Sequence, residues 1–363
     1  MSRDKVYNFS AGPSVMPESV LRNARSEIMD FRSSGMSVME ISHRSKLFME
    51  CFSQTKEKLR AALNVPDTHE ILFLQGGATL QFASVPMNLI GRTGSADYAV
   101  TGNFANVAAR EAEKYGRVNI ACSSADREHS YIPAQSEIKL SSDASYFYYC
   151  ANNTIYGTAW QYIPDTKGTH IVCDMSSEIL SRPVDVSRYG LIFAGAQKNM
   201  APAGLTVVIV DKALTGEVLP CTPKIMDYRQ LIEKDSMINT PPCWCIYMLG
   251  LTLDWLESEG GVEAMERNKL ERAKLLYDYL DESSLFKAHA EKSSRSCMNV
   301  TFRTGDENLD AEFLKDAEKS GLLNLKGHRL TGGMRASLYN AMPVEGVEAL
   351  VKYMKKFEVT HSV

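Results

Sequence analysis

Lys198 closes the run Leu191-Ile192-Phe193-Ala194-Gly195-Ala196-Gln197-Lys198 of a 363-residue chain, and a second apolar run, Leu205 to Val210, follows almost at once. Both runs read as buried strands. The segment between them, Asn199-Met200-Ala201-Pro202-Ala203-Gly204, is too short for a parallel crossover, which predicts an antiparallel pair with Lys198 at its turn. An amine held at a strand end inside a fold is partly desolvated, and desolvation disfavours the ammonium form. Neutral lysine condenses with aldehydes, so the expected chemistry is a Schiff base to pyridoxal phosphate. Taken alone, a solvated lysine capping a hairpin is the commoner case, and the reading depends on what else the chain supplies.

Such chemistry needs an acid facing a ring nitrogen, an anion site, a plate for the ring and a clamp for a carboxylate. Asp174 ends the strand pattern His170-Ile171-Val172-Cys173-Asp174 and is followed by Met175-Ser176-Ser177. Its carboxylate should emerge at the carboxyl edge of a sheet, where open α/β folds bind ligands; a plain acidic cap is as common there. Gly76-Gly77-Ala78-Thr79 offers close backbone approach and the positive end of a helix to a phosphate. Neither a dinucleotide GxGxxG nor a Walker lysine accompanies it. Phe104, after Thr101-Gly102-Asn103, is a candidate plate, although most such phenylalanines are core. His43-Arg44, His328-Arg329 and Arg335 are candidates for gripping carboxylate or phosphate, because guanidinium forks pair with planar anions. Thr240, in Asn239-Thr240-Pro241-Pro242, reads first as an N-cap with Pro241 opening a helix.

The elements that must position these groups alternate along the chain. Helix patterns run from Glu18 to Arg32, Lys46 to Ala62, beyond Ala78 toward Leu89 and from Ala105 to Tyr115; strand patterns cover Glu70 to Leu74, Val118 to Ala121, Tyr146 to Cys150 and His170 to Met175. This predicts an α/β fold with a mostly parallel, helix-covered sheet. Gly260-Gly261 breaks the pattern. Beyond it come helices to about Leu280, from Asp310 to Gly321 and from Val344 to Phe357, with strands at Met298 to Phe302 and Arg335 to Tyr339: a smaller α+β domain. The expected division is an arm over 1–15, a large cofactor-binding domain over 16–260 and a small domain over 261–363.

Composition excludes several classes. With 44% hydrophobic residues, 23% charged and a net charge of -4, the chain reads as an ordinary soluble protein with no nucleic-acid track and no affinity for an anionic membrane. Its eight cysteines show no CxxC and no zinc-ligand spacing, so no metal is expected and they read as reduced thiols. The opening Met-Ser-Arg-Asp-Lys-Val-Tyr-Asn has no apolar signal region, and the cytoplasm is the expected address.

Seven ordered motifs carry a resemblance that spans the chain: Asn8-Phe9-Ser10-Ala11-Gly12-Pro13, Glu40-Ile41-Ser42-His43-Arg44, Gln75 to Phe82, Ser181-Arg182-Pro183, Gly195-Ala196-Gln197-Lys198-Asn199, Asn239-Thr240-Pro241-Pro242, and Gly327-His328-Arg329 with Gly332 to Ser337. In these the chain resembles the phosphoserine aminotransferases, fold-type I, class V pyridoxal phosphate enzymes of serine biosynthesis. The resemblance implies that Lys198 links the cofactor and carries the proton, and that Asp174 pairs with the pyridinium nitrogen. It implies further that Ala78, Thr79 and Gln197 hold the phosphate, Thr154 bonds the phenolic oxygen and Phe104 stacks on the ring. Asn239 and Thr240 would reach the phosphate from the second subunit of a homodimer. Ser10, His43, Arg44, His328, Arg329 and Arg335 would bind substrate, with Arg335 on the α-carboxylate and His43 and Arg44 acting across the dimer. The implied reaction exchanges an amino group between L-glutamate and 3-phosphohydroxypyruvate. Two departures stand out: many members carry tryptophan in place of Phe104, and some bacterial members an arginine in place of Thr79. A cysteine desulfurase or a glyoxylate aminotransferase is the nearest rival. A desulfurase needs an exposed loop cysteine, whereas Cys297 adjoins an apolar strand.

Overall fold

The computed structural model describes residue 3 and residues 6–361. Residues 1, 2, 4, 5, 362 and 363 lie outside that description, so the expected arm (1–15) and small domain (261–363) are described only in part.

In chain order the strands are β1 (Tyr7–Asn8), β2 (His69–Leu74), β3 (Ser95–Val100), β4 (Arg117–Ser123), β5 (Phe147–Cys150), β6 (Asn152–Asn153), β7 (Thr158–Ala159), β8 (Ile171–Asp174), β9 (Leu191–Gly195), β10 (Thr206–Asp211), β11 (Lys287–Ala288), β12 (Asn299–Arg303), β13 (Leu322–Leu323) and β14 (Met334–Ser337). The helices are α1 (Glu18–Glu27), α2 (Lys46–Ala62), α3 (Gly77–Leu89), α4 (Asn103–Ala112), α5 (Tyr228–Glu233), α6 (Cys243–Ser258), α7 (Gly261–Glu282), α8 (Glu307–Lys319) and α9 (Val344–His361).

Seven strands form the central sheet in the order β2-β10-β9-β8-β5-β3-β4, and only β10 opposes the rest. The antiparallel β9–β10 pair is the one predicted from the short segment after Lys198. Alternate residues feed two cores: Ile71, Phe73, Val207 and Ile209 face the layer of α1, α2 and α6, whereas Leu72, Leu74, Val208 and Val210 face α3, α4 and α5. Burial on both faces explains why these strands read as continuous apolar runs rather than alternating ones. A third core under α7, α8 and α9 gathers Leu276, Phe302, Phe313, Met334 and Phe357 against the sheet β11-β12-β14. Phe9 belongs to that third core, and β1 pairs with β13, so the arm is anchored far along the chain.

Two local expectations fail. The first helix stops at Glu27 instead of reaching Arg32; Phe31–Ser33 make a single 3-10 turn with Arg32 and Ser33 left-handed. The Asp30 carboxylate accepts the Gly35 amide at 2.7 Å and the Phe31 amide donates to the Met36 carbonyl at 2.8 Å. Short polar side chains compete here for the backbone groups that a helix would use. Thr240 caps nothing: α6 begins at Cys243, with Pro242 at the cap position and no side-chain cap bond. Among the described residues no helix is long and apolar enough to cross a membrane.

Candidate active site

The six parallel strands of the central sheet deliver their carboxyl ends to one edge, and after five of them the chain turns at Gln75-Gly76, Thr101-Gly102, Asn152 to Thr154, Met175 to Ser177 and Ala196 to Lys198. Gly76 is left-handed (φ 87°), and a Cβ there would lie 2.6 Å from Leu80, so only glycine lets β2 turn directly into α3. The turn leaves the first amides of α3 at Ala78 and Thr79, with Thr79 exposed.

Lys198 is partly buried, and its Nζ donates to Thr154 Oγ1 at 2.9 Å. Burial holds its ammonium below the ordinary value of 10.5, and the Arg335 charge pushes the same way, against the pull of Asp174 and Cys150. The Phe104 ring centroid lies 5.8 Å from Nζ, and this phenylalanine is 38% exposed rather than a core residue. The arm crosses the same lysine. A Cβ on Gly12 would sit 3.4 Å from Lys198 Cγ, the Ser14 amide donates to the Gln197 carbonyl at 3.0 Å, and the Ser14 hydroxyl donates to the Lys198 carbonyl. Ser10 stands at the start of this crossing, its amide bonded to Asn8 Oδ1 at 3.0 Å. The Gln197 side chain folds over Gly195, whose missing Cβ makes room for it.

Asp174 is 4% exposed and accepts the Ser176 amide at 2.9 Å, yet it forms no ion pair among the described residues. Burial raises its carboxyl above 3.8, opposed by Ser176 and by Lys198. An acid so placed is suited to an incoming cation such as a protonated ring nitrogen, which would offset its desolvation.

Thr154 is held from behind. Its hydroxyl bonds Ser177 Oγ at 2.9 Å, Ser177 bonds the Asn152 carbonyl at 2.9 Å, and Asn152 Nδ2 reaches both Ser177 Oγ and Asn299 Oδ1 at 2.8 Å. Asn299 in turn bonds Ser337 at 3.0 Å and Tyr339 at 3.2 Å. All of these are buried, so the network links the lysine's partner to β12 and β14. Ser177, Asn152, Asn299 and Ser14 have no role in the sequence reading. Ser176-Ser177 after Asp174 was visible as a motif, but nothing local tells which strand its hydroxyls meet.

Arg335 enters from β14. Its Nη1 donates to the Thr154 carbonyl at 3.3 Å, and it has no carboxylate partner among the described residues. The loop before it is drawn tight by the Gly327 amide on the Gly333 carbonyl at 2.9 Å; a Cβ on Gly327 would lie 1.9 Å from the Gly332 carbonyl oxygen. His328 is half-buried, and Arg329 is exposed; burial and the charges of Arg335 and Arg329 lower the imidazole's value. These three therefore share one field.

Among the described residues, the remaining candidates make no hydrogen bond to Lys198, Thr154 or Arg335. Arg44 is exposed, and His43 Nε2, just before α2, is buried without a partner among the described residues. Asn239 and Thr240 are exposed, with Asn239 Nδ2 on Gln75 Oε1 at 2.8 Å, beside the glycine turn. Cys297 has its thiol pushed up by burial, which suits a structural role better than a persulfide carrier.

The class-V aminotransferase model matches residues 6–350. The chain belongs to that family. Among curated proteins, the phosphoserine aminotransferase of Nitrosomonas europaea is 49% identical over 99% of this chain and 100% of that protein. Among solved structures, the phosphoserine aminotransferase from Bacillus circulans subsp. alkalophilus superposes with a TM-score of 0.97 at 40% identity, covering 99% of this chain and 100% of the other. The pyridoxal phosphate-bound phosphoserine aminotransferase from Trichomonas vaginalis gives 0.92 at 41%, covering 96% and 99%. The chain is thus a pyridoxal phosphate-dependent aminotransferase of class V within the phosphoserine aminotransferase group, and its sheet is that of fold type I.

Proposed function

We propose that this protein transfers the amino group between L-glutamate and 3-phosphohydroxypyruvate, yielding O-phospho-L-serine and 2-oxoglutarate for serine biosynthesis, as a cytoplasmic homodimer. The observation that carries the reading is the pair of opposite charges around Lys198: among the described residues, the buried Asp174 makes no ion pair and Arg335 has no carboxylate partner. Bound pyridoxal phosphate supplies an electron sink for the carbanion formed at the substrate α-carbon.

Asp174 would face the ring nitrogen and keep it protonated. The amides of Ala78 and Thr79, with the Gln197 side chain, would hold the phosphate at the start of α3, and Asn239 and Thr240 of a second copy would close that cradle. Phe104 would stack on the ring, and Thr154 would bond the phenolic oxygen. Lys198 would take the proton from the substrate α-carbon and carry it to the C4′ atom of the bound cofactor; burial favours the neutral amine that this step needs. Arg335 takes the α-carboxylate that both substrates carry. Ser10, His43, Arg44, His328 and Arg329 would meet the distal anion, a carboxylate in one half-reaction and a phosphate in the other. One cationic pocket can then serve both halves.

The domain division over 1–15, 16–260 and 261–363 forms part of this reading, supported by the separate core under α7, α8 and α9. The test is spectral. Glutamate should bleach the visible absorbance of the holoenzyme, and 3-phosphohydroxypyruvate should restore it. Bleaching without restoration would keep the aminotransferase and discard the phosphorylated substrate.

A further inference from the structure

Thr154, the partner of Lys198, ends a buried chain of hydrogen bonds whose direction is set at both ends by backbone carbonyls, which can only accept. At the near end Ser177 donates to the Asn152 carbonyl at 2.9 Å. Its one hydrogen is spent there, so Thr154 donates to Ser177 Oγ at 2.9 Å and turns lone pairs, not a hydrogen, toward Lys198 Nζ at 2.9 Å. At the far end Tyr339 donates to the Ala11 carbonyl at 2.8 Å and accepts from Asn299 Nδ2 at 3.2 Å. Asn299 Oδ1 is then the acceptor for Asn152 Nδ2 at 2.8 Å, and the second hydrogen of that amide goes to Ser177 Oγ, also at 2.8 Å.

The same asparagine meets the strand of Arg335. Asn299 on β12 stands opposite Ser337 on β14, and its Nδ2 donates to Ser337 Oγ at 3.0 Å. Ser337 follows Arg335 by two residues, so both side chains leave β14 on one face. Gly157 lets the backbone after Thr154 run against β12: a Cβ there would lie 2.9 Å from the Asn299 carbonyl oxygen. Asn152, Ser177, Asn299 and Ser337 are all at most 3% exposed, and removing one leaves its neighbours buried with a bond unmade.

We propose that Asn299 is a positioning residue that ties two parts of the active site together: through Asn152 and Ser177 it keeps Thr154 turned to accept from Lys198, and through Ser337 it sets the strand from which Arg335 reaches the substrate carboxylate. The inference rests on the roles proposed above for Lys198 and Arg335.

The test reads two quantities. In the full-length protein freed of cofactor, trace acetylation with acetic anhydride followed by peptide mass spectrometry gives the pH midpoint at which Lys198 becomes reactive. In the holoenzyme, calorimetry gives the affinity for glutarate, which keeps both carboxylates of glutamate and lacks its amine. Ser177→Ala frees Thr154 to turn its hydrogen to the amine, which favours the neutral form; the Lys198 midpoint should fall by about one unit while glutarate affinity holds. Asp174, Cys150 and Arg335, the other groups that act on this amine, are untouched by that change. Ser337→Ala should weaken glutarate binding roughly threefold and leave the midpoint in place. Asn299→Ala should do both, each at least as strongly as the serine variant. Ser294→Ala, which removes a similarly buried bond from the Ile132 amide at 2.9 Å, should do neither. An unmoved midpoint in folded Ser177→Ala, or unmoved glutarate affinity in folded Ser337→Ala, would overturn the proposal, and the two serine variants decide it if Asn299→Ala does not fold. So would a Ser294→Ala variant that moves both quantities as far as Asn299→Ala, which would make the asparagine merely structural. A wild-type holoenzyme that does not bind glutarate would count against the proposed substrate instead, and the Lys198 midpoint would then decide this inference by itself.

Discussion

The inner and outer walls of the Lys198 pocket are built differently. On the inner wall, Lys198, Thr154, Ser177, Asn152 and Asn299 form one chain of hydrogen bonds of 2.8 to 2.9 Å, with Asp174 set beside it. On the outer wall, Thr79, Arg44, Asn239, Thr240 and Arg329 are exposed, and His43 Nε2 has no partner among the described residues. Groups proposed to handle the reacting atoms are locked by one chain, as preorganised catalysis requires. Groups expected to meet the distal anion and the cofactor phosphate are left open, as they would be if a second copy completes them. Inner-wall changes should therefore act on turnover, and outer-wall changes on substrate affinity with the fold untouched.

The largest effect should come from Lys198→Ala. It removes the proposed proton carrier, so kcat should fall roughly 10⁴-fold, the upper end of what a positioned proton-transfer group contributes. The visible absorbance should vanish while the melting temperature holds. An unchanged spectrum would remove Lys198 from the inner wall's chemistry.

Next in size is Asp174→Asn, which keeps the bond from Ser176 but not the charge. Turnover should drop roughly 10²-fold, the scale for losing one preorganised electrostatic partner. Stability supplies a second reading. Because burial raises the folded carboxyl above 3.8, the cofactor-free fold is relatively stabilised at low pH and loses that contribution as pH rises through the raised value. At neutral pH the cofactor-free Asn variant should melt above the wild type, with the gap closing on acidification. A wild type more stable than the variant at neutral pH would mean that the carboxylate already has its counter-charge.

Arg44→Ala carries the comparison to the outer wall. Stability should stay within about 0.5 kcal/mol, as for an exposed side chain, while KM for the phosphorylated substrate rises roughly tenfold through loss of a charged contact. Mixing this variant with Lys198→Ala separates the geometries. If Arg44 serves the neighbouring subunit's pocket, each hybrid dimer holds one unimpaired site and activity returns. If it serves its own, every pocket keeps one defect and activity stays low.

The same division explains what the sequence made legible. Lys198, Asp174 and the Gly76-Gly77 turn were readable because each terminates a buried run, and a strand end is a local signal. The brace behind Thr154 was not, since Asn152 meets Ser177 and Asn299 across separations of 25 and 147 residues. Periodicity carries no record of such pairings. The early end of α1 escaped for a related reason: Val20, Ala24 and Phe31 keep an apolar pattern running, but the Asp30 carboxylate diverts the Gly35 amide. At Thr240 a good capping residue precedes two prolines, and the second proline, not the threonine, occupies the position before α6.

The smallest effect should come from Thr79→Arg, where the outer wall departs from some bacterial relatives by resemblance. Thr79 is exposed in the first turn of α3, so an arginine can extend without displacing any buried group. A cation near a helix N-terminus opposes the dipole and costs about 0.3 to 1 kcal/mol, which should appear as a slightly lower melting temperature. Against that, a guanidinium facing a bound phosphate adds a charged hydrogen bond, and KM for the phosphorylated substrate should fall up to roughly tenfold. Its glutamate KM should move less, because a carboxylate carries less charge than a phosphate, and kcat should not move, because residue 79 takes no part in the inner wall's chain of hydrogen bonds. A change in kcat without a change in KM would show that the two walls are not independent and that the distal anion lies elsewhere.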